Sequence, residues 1–147
     1  YILLFLLILY LFISILNQIE NESFARVVVA AFCTRLDPTL EEISDIKTAV
    51  SEAVTNCIVH GYEGREGKIS LKCELNDNEL TIEVHDDGVG IDDIERAMEP
   101  MYTSKPQLER SGMGFSFMEA FMDELHVKSG KHSGTTVMMK KKIGVNN

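Results

Sequence analysis

Glu52, Asn56 and His60 are spaced four residues apart. On a helix this spacing stacks them along one ridge, drifting about 40° per step. A polar ridge is often no more than a solvated face. Asparagine, however, suits a helix interior poorly, and this one follows a carboxylate by a single turn. Asn56 can offer a neutral oxygen to magnesium, which prefers oxygen ligands and keeps several waters. Glu52 can hold or deprotonate an attacking oxygen. His60 reads as a satisfied histidine at the edge of such a site rather than as a phosphoacceptor.

Two glycine-rich pieces follow. In Asp86-Asp87-Gly88-Val89-Gly90 the first aspartate is an acceptor suited to an exocyclic amine such as that of adenine. Gly88 and Gly90 let the backbone turn tightly and approach a ring. In Ser111-Gly112-Met113-Gly114-Phe115 the glycines open a helix whose amides can face phosphate. Neither piece has the Gly-Lys-Ser/Thr ending of a P-loop, and neither is a dinucleotide fingerprint after a first strand. Each alone is a weak signal. In this order, between residues 52 and 115, they fit together as an ATP site.

The elements that must position them are legible in the apolar pattern. Thr39 and Glu42 fit a capping box. Leu40, Ile43, Ile46, Val50, Ala53, Val54 and Cys57 then form a stripe that predicts a helix to His60, with Gly61 as its C-cap. Before it, apolar residues at 24, 28, 29, 32 and 36 predict a helix over 22–36, capped by Asn21 and ended by Asp37-Pro38. Ile69, Leu71, Cys73 and Leu75 alternate, as do Leu80, Ile82 and Val84 after a polar turn at 76–78, which predicts a hairpin. Period two carries the buried side straight on to Asp86. An acid on the core face of a strand end needs a partner, because its desolvation is otherwise severe.

Residues 91–110 are irregular, with Pro100 and Pro106, and read as a lid-like loop. A third helix from Gly112, striped by Phe115, Met118, Phe121, Met122 and Leu125, precedes a closing hairpin over 126–129 and 135–143. The expected fold is an α/β two-layer sandwich, with helices on one face of a mixed, mainly antiparallel sheet. Residues 17–147 read as a single domain.

The chain has 147 residues and a formal net charge of -9 at pH 7. That balance disfavours general nucleic-acid binding, since backbone phosphates would be repelled. It leaves ATP open, because amides, a helix N-terminus and magnesium can hold its phosphates. Cys33, Cys57 and Cys73 lack metal-ligand spacing and read as reduced core thiols of a cytoplasmic protein. Cys57 should be turned about 100° away from Asn56 by the helix. Residues 1–16 are almost wholly apolar. As a helix they would rise about 24 Å, short of a hydrocarbon core of about 30 Å. They carry neither a basic n-region nor a small-residue cleavage site, so neither a membrane anchor nor a secretory signal is the expectation, and the segment's status stays open.

The three pieces resemble the N, G1 and G2 boxes of the Bergerat-fold ATPases and kinases, the group that includes histidine kinases and gyrase B. More narrowly, NESFARV at 21–27, SEAVTNCIVHGY at 51–62, DDGVGI at 86–91, YTSKPQLERSGMGF at 102–115 and GTTV at 134–137 are similar to the small bacterial anti-sigma factors with serine-kinase activity, above all their sporulation branch. The resemblance implies ATP and ADP as ligands with Mg2+, Glu52 as general base and Asn56 as the magnesium ligand. It implies that Asp86 binds the adenine amine, helped through a water network by Thr136, with Gly88 and Gly90 bordering the base. Gly112, Met113, Gly114 and Phe115 would follow the lid and wrap the phosphates, with Lys105 and Arg110 as lid cations.

It further implies a homodimer that binds a sporulation sigma factor of the sigma F type through the side bearing Arg26. The same protein would phosphorylate an anti-anti-sigma antagonist on serine. Relatives begin with a short amphipathic strand that residues 1–16 do not resemble. Alternative readings are a general-stress anti-sigma kinase with other partners, a non-catalytic sigma-binding module gated by nucleotide, and the ATP domain of a membrane histidine kinase. No phosphoacceptor helix pair precedes the site, which argues against the last.

Overall fold

Residues 9–100 and 114–144 are described by the computed structural model of the chain. Strand β1 (Leu9–Leu16) leads into helix α1 (Ile19–Cys33) and a 3-10 turn (Thr34–Leu36). Helix α2 (Leu40–Asn56) follows and passes directly into a π-helical turn (Cys57–Gly61). Strands β2 (Lys68–Asn76) and β3 (Glu79–Asp86) form the hairpin. After a short helix α3 (Ile94–Ala97) and helix α4 (Gly114–Phe121), strands β4 (Glu124–Gly130) and β5 (Gly134–Lys142) close the chain.

The five strands form one sheet in the order β1-β2-β3-β5-β4, and all four pairings are antiparallel. The helices lie over one face, giving the expected two-layer sandwich. Alternation sets that face. Ile69, Leu71, Leu80, Ile82, Val84 and Met139 are fully buried beneath Ile46, Val50 and Val54 of α2. The capping box at the start of α2 is present in both directions, with Glu42 N–H donating to Thr39 Oγ1 at 3.1 Å and Thr39 N–H to Glu42 Oε1 at 2.9 Å.

Some boundaries differ from expectation. Helix α1 begins at Ile19, and Asn21 is not its cap; the Asn21 side chain donates to Leu16 O at 2.8 Å instead. Residues 24–32 are apolar on nearly every side, so pattern alone cannot choose the buried face. Small Ala25 and Cys33 turn inward with Val29, while Phe24 and Val27 face out. Leu125 belongs to β4 rather than to the helix before it. Leu9–Leu16 pairs along its length with β2 as an edge strand. Among the described residues no helix is long and apolar enough to cross a membrane.

Tyr62 joins three segments near the end of the sheet. Its hydroxyl donates to Lys68 O and accepts from Asp87 N–H, the latter at 3.0 Å. Its ring fills the space beside Gly67, where a Cβ would lie 2.2 Å from a ring carbon. Tyr62→Phe keeps the ring and leaves two backbone groups without their partner. Urea unfolding of this variant is expected to reveal a loss of about 1–3 kcal/mol; an unchanged midpoint and slope would mean that water replaces the hydroxyl fully.

Candidate functional site

Asp86, the last residue of β3, is only 2% exposed. It closes the inward-facing series Leu80, Ile82, Val84, as period two requires. Gly88 N–H donates to its Oδ1 at 2.9 Å. The Cys57 thiol is a second donor. Burial pushes the Asp86 carboxyl above its ordinary range, and these two hydrogen bonds oppose that shift.

Cys57 therefore does not point away from the site. A regular α-helix would turn it aside, but the chain widens into a π turn whose i+5 bond runs from Tyr62 N–H to Cys57 O at 3.0 Å. Burial, and then the adjacent Asp86 carboxylate, raise the Cys57 thiol well above its usual value. Burial pushes Cys33 and Cys73 up to about 12. All three cysteines are buried and free, which agrees with the reading as reduced core thiols.

Asp86 forms the base of a cavity of about 490 Å³. Asn56, Cys57 and His60 line it from the end of α2, Gly90 and Ile91 from the turn after β3, and Thr135 and Val137 from β5. The volume falls within the range of small-molecule sites. Charges of both signs surround it: Glu63, Asp92 and Asp93 on one hand, Arg96, Lys131 and His132 on the other. Gly114, the first residue of α4, stands at the same cavity. A Cβ added there would lie 3.2 Å from Glu52 Oε2 and 3.3 Å from both Asn56 amide atoms. Glu52, Asn56 and the start of α4 thus meet at one place, as their spacing in the sequence suggested.

The glycine turn is held against two neighbours. Val89 N–H donates to Gly61 O at 2.9 Å, and His132 N–H to Val89 O at 2.9 Å. A Cβ on Gly88 would lie 2.0 Å from Gly61 O, and one on Gly90, at φ +79, 2.0 Å from Gly130 O. Glycine at these positions lets the end of α2 and the tip of the β4–β5 hairpin close on the turn.

Thr136 requires a correction. Its hydroxyl lies 2.8 Å from His85 Nδ1, on the face of the sheet opposite Asp86. The residue that faces the cavity is Thr135, which pairs with Asp86 in the β3–β5 register and is 8% exposed. Counting by two from Val137 and Met139 would have found it. Lys105, Arg110, Gly112 and Met113 lie outside the described residues. Phe115 lines the cavity beside Gly114. Arg26 is remote from it, in a groove between α1 and α2 with Lys47 and Ser51, where its guanidinium lies 3.6 Å from Glu22.

The description of the histidine kinase-like ATPase domain matches residues 16–141. The anti-sigma F factor of Clostridium acetobutylicum is 59% identical over 133 residues, covering 90% of this chain and 93% of that protein. Its counterpart in Clostridium beijerinckii is 60% identical over 134 residues, covering 90% and 94%. The anti-sigma F factor of a Thermoanaerobacter species is 58% identical over 132 residues, covering 90% and 92%. The fold is also similar to a crystal structure of the RsbU and RsbW domains of a Mycobacterium tuberculosis protein, with a TM-score of 0.67 at 22% identity. That match covers 92% of this chain and only 32% of the longer one. With the first two boxes and the described end of the third, Gly114 and Phe115, gathered around one cavity, and relatives of this identity along nearly the whole length, the chain belongs to the histidine kinase-like ATPase family and, within it, to the anti-sigma F factors.

Proposed function

We propose that the chain binds Mg-ATP in the cavity above Asp86, holds a sporulation sigma factor away from RNA polymerase, and phosphorylates a serine of an anti-anti-sigma protein. The observation that carries this reading is the meeting of Gly114 with Glu52 and Asn56 at the cavity whose base is the buried acceptor Asp86. Adenine would enter over Asp86 and donate its amino hydrogen to the carboxylate. The phosphates would extend toward the start of α4, where the first amides of the helix have no partners within it. The lid cations Lys105 and Arg110, with Gly112 and Met113, would complete that end.

Asn56, with its neutral amide oxygen, is suited to a magnesium ion that takes its other ligands from phosphate and water. The bound ion would neutralise charge on the phosphate oxygens. Glu52 would take the proton from the incoming serine hydroxyl. The serine oxygen then bonds to the γ-phosphorus, the bond from that phosphorus to the β–γ bridging oxygen breaks, and ADP leaves with the electron pair. The protein's part is to position the reactants and hold the proton.

Partner surfaces lie elsewhere. Arg26, flanked by Lys47 on the α1–α2 groove, would contact the sigma factor and the antagonist in turn. Tyr10 and Phe12 on edge strand β1 are 71% and 60% exposed. An exposed apolar edge is a liability for a lone protomer, and a second copy of the chain would cover it.

Two measurements test the reading. Wild-type protein with γ-labelled ATP and the antagonist should label serine, and Glu52→Gln should slow transfer by at least about 100-fold while ATP affinity changes little. A wild type that binds ATP and sigma factor yet labels nothing would leave a nucleotide-gated binding module. The second test is pH. Because Asp86 is raised, it takes up a proton at a higher pH than an ordinary aspartate, and the neutral acid accepts the adenine amine more weakly. ATP affinity should therefore fall as pH drops toward the carboxylate range, beginning at a higher pH than an ordinary aspartate would give, and Asp86→Asn should be weak with a flatter profile. Without nucleotide the sign reverses. The folded state holds the Asp86 proton more tightly than the unfolded one, so this residue's contribution to stability rises as pH falls through the same window. Equal pH profiles for wild type and Asp86→Asn would contradict the assignment.

A further inference from the structure

Ser129, on β4 next to the hairpin tip, makes an unusually constrained set of hydrogen bonds. Ile91 N–H donates to its Oγ at 2.7 Å, Gly134 O lies 3.0 Å away, and Thr135 Oγ1 lies 2.8 Å away. A serine hydroxyl has one proton and two lone pairs. The Ile91 amide can only donate, which uses one lone pair. The Gly134 carbonyl can only accept, which uses the proton. The remaining lone pair can meet Thr135 only if Thr135 is the donor. The Thr135 proton is then engaged by Ser129, and a ligand in the cavity that Thr135 lines with Asp86 can meet only lone pairs of this hydroxyl.

We propose that Ser129 is a positioning residue that sets base specificity: by taking the Thr135 proton it makes this edge of the pocket an acceptor surface, receptive to 6-amino purines and closed to 6-oxo purines. The inference rests on the reading of the cavity as a nucleotide site. A 6-amino group brings N–H donors to the two acceptors. A 6-oxo group brings lone pairs, so acceptor meets acceptor and buried polar atoms stay unpaired, which a built site rejects strongly. Asp86 alone is an incomplete filter. Burial raises its carboxyl, and once protonated it could donate to a 6-oxo group. Thr135 has no such titration; its polarity is held by Ser129 at any pH.

The test compares calorimetric titrations of ATP and inosine triphosphate, with magnesium, into wild type, Ser129→Ala and Ser129→Thr. In Ser129→Ala the Thr135 hydroxyl is free to rotate and donate into the pocket. The preference for ATP over inosine triphosphate should narrow by about tenfold, largely through tighter binding of the latter. Ser129→Thr retains the hydroxyl and should keep the wild-type ratio. Thr135→Val, which removes the acceptor and leaves Ser129 intact, should narrow the ratio as well, and serves if Ser129→Ala folds poorly. An equal loss of affinity for both triphosphates in Ser129→Ala, with Thr135→Val unchanged in ratio, would overturn the proposal while leaving the nucleotide site standing. Folded wild type that binds neither triphosphate would instead remove the nucleotide reading on which the proposal depends.

Discussion

A carboxylate is buried at the end of the central strand, and much of the surrounding backbone is arranged to tolerate it. Burying a charged group in an apolar layer is unfavourable unless hydrogen bonds replace its lost water. Asp86 sits where alternation along β3 puts a core residue, level with Ile69 across the hairpin and Thr135 on the other side. Gly88 and Cys57 supply its donors. Gly61 makes room for it, since a Cβ there would lie 2.8 Å from Asp86 Oδ1. Tyr62 fixes the next amide, that of Asp87. Such a group adds little to stability, and its placement makes sense as a recognition element at the base of a cavity.

From that constraint follows the division of labour in the fold. The apolar layer between sheet and α2 supports the Asp86 end of the cavity through the buried residues of β2, β3 and β5. Gly114 opens α4, and its contact with Glu52 and Asn56 depends on where that helix begins. The buried acceptor thus stands on a strand, and Glu52 and Asn56 stand at the junction of two helices. The π turn links the two, since it ends the ridge of Glu52 and Asn56 and carries Cys57 to Asp86.

Local signals in the sequence were sufficient where one residue type in one place had one meaning. The Thr39–Glu42 capping box, the alternation leading to Asp86 and the i, i+4 spacing of Glu52 and Asn56 all survive in the structure. Signals failed where the pattern was saturated. Leu9–Leu16 is apolar on both faces, so its period of two is hidden and the edge strand looked like a segment apart. The second half of helix α1, from Val27 on, is apolar all round, and only packing against α2 selects Ala25, Val29 and Cys33 as the helix's inward side. Thr136 was misplaced by one residue, and one residue on a strand is a change of face. Tyr62 and Ser129 had no sequence signal at all. Their roles arise from contacts across 25 and 38 positions, with Asp87 and Ile91 respectively.

The most direct test of a nucleotide seated between Asp86 and the start of α4 is an amide chemical-shift titration of isotopically labelled protein with Mg-ATP. The shifts should concentrate on Asn56, Gly88, Gly90 and Gly114, spanning both ends of the cavity. Shifts confined to the groove of Arg26, Lys47 and Ser51, or no saturable shifts at all, would contradict it.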